Sequence, residues 1–200
     1  MKYKAFHGTN GRFGKFEQSK ARIANDLYGG GVAYFTDTLD IAKSYASSMA
    51  RRLGGEKYIY EVELDIKRMF DVDTIYTGKI LLDMIGNDFD TFARGAKLFR
   101  AGDDRLEVIS KLKSGQMNLN GDQVFRGMSN GMVNTKAARE KLIRLGFDGL
   151  RYNGGVQMGG NRHSVYLAYK AEGIVIKDRF IVSDTPLDAN SRNQTYKFIN

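Results

Sequence analysis

Two short stretches of this 200-residue chain combine residue types suited to holding a ligand: Ala5-Phe6-His7-Gly8-Thr9, and Gly29-Gly30-Gly31-Val32-Ala33-Tyr34-Phe35-Thr36-Asp37. Both apolar runs read as strands, and each sets one functional side chain, His7 or Tyr34, beside glycines that let a ligand approach the backbone closely. The imidazole of His7 can hydrogen-bond a ligand hydroxyl, and Thr9 adds a hydroxyl of its own. Gly8, lacking a side chain, exposes N–H and C=O to a flat polar group such as a carboxamide. Tyr34 and Tyr45 offer aromatic rings of the kind that can stack on a planar, electron-poor ring. The same residues also have ordinary readings: a strand-end histidine satisfied by backbone, and two core aromatics among eleven tyrosines.

The surrounding elements must hold these side chains in place. Residues 2–7 read as a strand broken at Gly8, and residues 10–31 as a glycine-rich, charged loop over a site, with one or two helical turns around 18–27. Residues 32–36 form the second strand. Thr38 is a good N-cap, and Leu39, Ile41, Ala42, Tyr45, Ala46, Met49 and Leu53 recur at helical spacing until Gly54-Gly55. Residues 57–65 alternate as a strand with Tyr58, Tyr60, Val62 and Leu64 on one face. Amphipathic helical segments follow at 80–84, 91–99, 105–112 and 135–145, broken by Gly86, Gly102, Gly115, Gly121, Gly127 and Gly131, as expected of a helical insertion joined by mobile loops. Strands return at 147–152, 164–169, 174–176 and 179–182, the first two joined by a glycine-rich hairpin over 153–161. From Ser183 a polar tail with the sole proline, Pro186, reads as a loosely held extension.

Composition narrows the chemistry. Zero cysteines remove disulfides, thiolate nucleophiles and sulfur-ligated metals, and two histidines make a histidine-rich metal site improbable. Lys and Arg exceed Asp and Glu by 31 to 23, which favours anionic partners and also keeps a small domain soluble. No apolar run is long enough for a signal peptide or membrane span, so a soluble cytoplasmic protein without a membrane partner is expected. There is no G-x-G-x-x-G and no repeated strand–helix–strand unit, which disfavours a dinucleotide-binding doubly wound domain and prefers an α+β fold.

His7-Gly8-Thr9, the Gly31-to-Asp37 strand and Tyr45, in this order and spacing, resemble the His-Tyr class of ADP-ribosyltransferases. That class includes diphtheria toxin, the poly(ADP-ribose) polymerases and compact domains of phage and mobile-element proteins. Gly146-Phe147-Asp148-Gly149, and the strand Tyr166-Leu167-Ala168-Tyr169 followed by Ile174-Val175-Ile176, are similar to the phage-type members. The resemblance covers residues 3–65 and 140–182. It implies a split mixed or antiparallel sheet in one domain over 1–182, with the insertion at about 66–145 and an extension over 183–200. It also implies NAD as co-substrate, no metal, and transfer of a single ADP-ribose to a macromolecular acceptor, with nicotinamide released. In this reading His7 orients the adenine-side or nicotinamide ribose with help from Thr9, Gly8 fixes the carboxamide, Tyr34 and Tyr45 hold the nicotinamide, and Phe35 and Val165 complete the site. Arg12, Lys15, Lys20 and Arg22 either reach the pyrophosphate or remain a solvated charged loop.

The chain departs from the family at one place. Where the polymerases carry a glutamate before the Tyr-x-x-Tyr strand, to stabilise charge developing on the ribose, this sequence has Val165. Some mono-ADP-ribosyltransferases carry an aliphatic residue there and are understood to borrow an acid from the target, so Val165 argues against chain formation more than against single transfer. Ser164, His163 and Gln157 are nearby polar substitutes. The alternatives are a pseudoenzyme that binds NAD or ADP-ribose without turnover, an RNA 2′-phosphotransferase-like protein, and a basic nucleic-acid-binding module. The expected partner is a protein acceptor in preference to nucleic acid, met by a monomer in the cytoplasm, or in a host cytoplasm for a phage effector.

Overall fold

The computed structural model describes residues 1–21, 27–155 and 162–182, with the backbone of Tyr196–Phe198. Arg22, Gln157, Pro186, most of the expected hairpin and most of the expected extension lie outside the described residues. In chain order the elements are β1 (Lys2–Thr9), β2 (Ala33–Thr36), α1 (Leu39–Leu53), β3 (Tyr58–Asp65), β4 (Met69–Asp71), β5 (Ile75–Tyr76), α2 (Gly78–Ile85), α3 (Phe89–Gly95), α4 (Arg105–Lys113), β6 (Leu119–Asn120), α5 (Gly121–Met128), α6 (Thr135–Arg144), β7 (Gly149–Gly154), β8 (His163–Ala168), β9 (Ile174–Val182) and β10 (Tyr196–Phe198). The fold is α+β, built on one mixed eight-stranded sheet in the order β10-β9-β3-β1-β2-β8-β7-β4. Its pairings are antiparallel except β4 with β7, and β5 and β6 form a separate two-stranded ladder.

Strand alternation gives the sheet two faces. Ala5 and His7 stand opposite Val62 and Tyr60, and Phe35 opposite Tyr166, so these side chains share one face with a buried aromatic cluster. Phe6, Gly8 and Ile59 lie on the other face, where Ala42 and Ala46 of α1 pack directly against the strands. Tyr34, Thr36, Val165 and Leu167 belong to this second face as well. The expected bounds of α1 agree with the structure. Gly54 closes it at φ 76° with its N–H on the Ala50 carbonyl. Thr38 has the extended backbone of an N-cap, but its hydroxyl donates to Asp37 rather than capping the helix.

β1 does not break at Gly8; it continues through Thr9, because β3 pairs with every residue along it. The two short strands expected at 174–176 and 179–182 are one strand, β9, carried past an irregularity at Glu61/Val62. The helical insertion packs on the sheet. Leu81, Met84, Phe125 and Leu142 of its helices share a cluster with Leu150 and Leu167 of β7 and β8. Each such buried side chain contributes about 1.5–3 kcal/mol over exposure, so the insertion and the sheet stabilise each other. Gly121 and Gly127, expected as helix breakers, lie inside α5. A Cβ on Gly121 would come within 2.6 Å of Val72 Cα, and one on Gly127 within 2.6 Å of the Phe92 ring. Both glycines are there so that elements can approach closely.

Candidate functional site

The site begins where the sheet parts. β1 and β2 share one registered pair, Phe6 with Thr36. The Asp37 N–H goes to Ser164 on β8, so by antiparallel alternation Thr36 and Tyr34 turn their main-chain groups toward β1. Phe6 and Gly8 turn theirs toward β2, where Phe6–Thr36 is the last registered pair. Gly8 therefore presents a main-chain donor and acceptor to the gap. Its missing side chain answers a different demand. A Cβ there would overlap the Ala42 carbonyl oxygen and fall 2.9 Å from Ala46 N, so only glycine lets α1 sit on this strand.

His7 bridges the same gap. Its Nδ1 lies 2.8 Å from the Tyr34 carbonyl oxygen, which can only accept, so Nδ1 carries the proton and Nε2 is left as an acceptor. Burial pushes its pKa below the ordinary 6.5, against the smaller opposing pull of the Tyr34 carbonyl. The unfolded chain then takes up a proton near pH 6.5 that the folded chain refuses. Stability is expected to be full above about pH 6.5, to fall as pH drops below it, and to level off below the lowered folded value. Denaturant melts from pH 8 to pH 5 check this, and equal acid sensitivity in His7→Asn would contradict it.

Four rings surround His7. Phe16 meets it edge-on at 5.3 Å, Phe35 lies at 5.7 Å, Phe13 at 6.3 Å and Tyr60 at 6.4 Å. Phe13 stacks on Tyr60 at 4.2 Å, and the Tyr60 hydroxyl accepts from Phe13 N–H and donates to the Gly11 carbonyl. The loop after β1 is thus pinned onto the aromatic face. Among the described residues it forms short helical turns at Gln18–Lys20 and Leu27–Gly29.

These elements enclose a cavity of about 760 Å³ lined by all seven residues expected from the sequence: His7, Gly8, Thr9, Tyr34, Phe35, Tyr45 and Val165. Tyr34 reaches it from β2, its hydroxyl donating to the Leu27 carbonyl at 3.1 Å, and Tyr45, a residue 53% exposed, reaches it from α1. Val165 is buried at 4% exposure and brings no charge. Neither described polar substitute lines the cavity: Ser164 instead accepts from the Arg151 guanidinium, which is ion-paired to Asp71 at 2.6 Å. Of the loop cations, Lys15 and Lys20 line the cavity and Arg12 does not.

Several lining residues had not been singled out. Ser48, Met49 and Arg52 continue from Tyr45 at helical spacing, and that stripe was a signal available in the sequence. Phe13 and Phe16 stood out only as two aromatics in a polar loop, and Glu17 beside them carried no local signal. Among the described residues no group of three or more acids and histidines could hold a metal ion, and no helix is long and apolar enough to cross a membrane. Compared with protein-family models, curated proteins and solved structures, the chain matches none of them.

Proposed function

We propose that this protein binds NAD in the cavity between β1, β2 and α1 and transfers a single ADP-ribose from it to a macromolecular acceptor, releasing nicotinamide. The observation that carries this reading is the convergence of His7, Gly8, Thr9, Tyr34, Phe35, Tyr45 and Val165 on one cavity, although they come from four separate elements. The donor set suits the ligand. The gap-facing N–H and C=O of Gly8 match a carboxamide, which needs one acceptor and one donor in the same plane. The Nε2 acceptor of His7 and the hydroxyl of Thr9 match ribose hydroxyls, while Tyr34 and Tyr45 offer aromatic faces to the nicotinamide. Lys15, Lys20 and Arg52 supply positive charge for the pyrophosphate, and a volume of about 760 Å³ lies in the ordinary range for such ligands.

In this reading the residues bind, orient and exclude water; none of them forms a bond to the substrate. His7 holds one ribose hydroxyl while its other nitrogen stays tied to Tyr34. Tyr45, on the exposed wall, closes over the nicotinamide. The expected result is a rise in melting temperature with NAD, and transfer of label from NAD to macromolecules in a cell lysate. In Tyr45→Ala NAD affinity is expected to fall by about tenfold, from the loss of one stacked ring worth about 1 kcal/mol or somewhat more. No thermal shift and no label transfer with the wild-type protein would sink the proposal.

A further inference from the structure

One acid stands out on the cavity wall. Among the described residues that line it, Glu17 is the sole carboxylate, set against Lys15, Lys20 and Arg52. It makes no ion pair among the described residues, and only the Ser19 hydroxyl approaches it, at 3.4 Å from Oε2. Its position is held from both sides. Before it, Phe13 stacks on Tyr60 and Phe16 packs edge-on against His7. After it, Gln18 grips the chain leaving β8: its Nε2 donates to the Tyr169 carbonyl at 3.3 Å and its Oε1 accepts from Ala171 N–H at 3.0 Å. These contacts fix the backbone that carries the half-buried Glu17 at the cavity wall, and an anion placed there in advance is what stabilising a developing cation requires.

The geometry points to Glu17 as the catalytic carboxylate of this cavity, supplying from the loop after β1 the charge that Val165 of β8 lacks. The inference rests on the NAD reading of the same site. In the step concerned, the ribose C1′–N bond breaks and its electron pair goes to the nicotinamide ring, cancelling the pyridinium charge. Positive charge develops on the ribose, and the ionised Glu17 opposes it. An oxygen or nitrogen of the acceptor, or of water, then bonds to C1′ and loses its proton to solvent. Glu17 stays ionised throughout.

Nicotinamide release into water tests this without knowledge of the acceptor, alongside binding of NAD and of ADP-ribose by calorimetry. Glu17→Gln is expected to slow nicotinamide release about 100-fold, the scale of one electrostatic stabiliser. It should weaken NAD by several-fold and leave ADP-ribose, which has no pyridinium charge, within about twofold of wild type. The melting temperature should stay unchanged. Release within about threefold of wild type, or an equal loss of affinity for NAD and ADP-ribose, would overturn the role of Glu17 while leaving the NAD site standing. NAD binding without any nicotinamide release by the wild-type protein overturns it too, and absence of NAD binding overturns both readings.

Discussion

Gly8→Ala destabilises this protein by about 3 kcal/mol or more, the upper range for forcing an atom into a packed interior, and lowers its melting temperature by about 6–12 °C for a chain of this size. The added Cβ would overlap the Ala42 carbonyl oxygen and lie 2.8 Å from its carbonyl carbon and 2.9 Å from Ala46 N. These are helix backbone atoms, which cannot rotate away as the end of a flexible side chain can. The helix α1 must lift from β1, loosening Ala42, Ala46 and Ile59, each completely buried. Tyr45 rides on the same helix, so NAD affinity falls with stability. Gly14→Ala is the control: nothing lies within 4 Å of its added Cβ, and its effect stays within about 0.5 kcal/mol. Equal melting temperatures for the two variants would show that α1 does not press on Gly8.

His7→Ala removes both nitrogen functions at once. The Tyr34 carbonyl loses the Nδ1–H partner at 2.8 Å that spans the gap between β1 and β2, and the loss of one such hydrogen bond costs about 0.5–1.5 kcal/mol. The Nε2 acceptor is lost as well, so NAD affinity is expected to fall about tenfold for one hydrogen bond, and nicotinamide release about 100-fold as the ribose loses its orientation. The variant also loses the acid sensitivity traced to burial of this imidazole. Calorimetry with NAD, a nicotinamide-release assay and melts at pH 8 and pH 5 cover the three effects. Wild-type NAD affinity in His7→Ala would remove His7 from the site, whatever its part in stability.

The two central effects start from side chains with opposite reasons for being where they are. Gly8 is constrained by what it lacks and His7 by what both of its nitrogens do. They are adjacent in sequence, yet alternation puts them on opposite faces of β1, one under α1 and one among the aromatic rings. The parting of β1 from β2 lets both faces reach the same cavity.

Periodicity and punctuation made much of this chain legible. The apolar repeat from Leu39 to Leu53, ended by Gly54, specifies α1, and Tyr58, Tyr60, Val62 and Leu64 specify the buried face of β3, because these patterns are local and each residue reports its own burial. The spacing of His7, Tyr34 and Tyr45 named residues that do meet in one cavity. Gly121 and Gly127 misled, since a glycine needed for close approach and one needed for a turn look alike until the neighbouring element, Val72 or Phe92, is in place. The parallel pairing of β4 with β7 joins residues far apart in the chain and leaves no local trace. By itself the sequence determined the α+β class, the main strands and helix α1, all set by short-range spacing, while the family resemblance singled out His7, Tyr34 and Tyr45. Only the tertiary structure decided that Gly8 is required by α1, that the gap beside it holds the main-chain donor and acceptor, and that Glu17 joins the cavity. Those facts depend on which backbones touch and on a loop anchored by Tyr60 and by the chain after β8, contacts that no residue's type records.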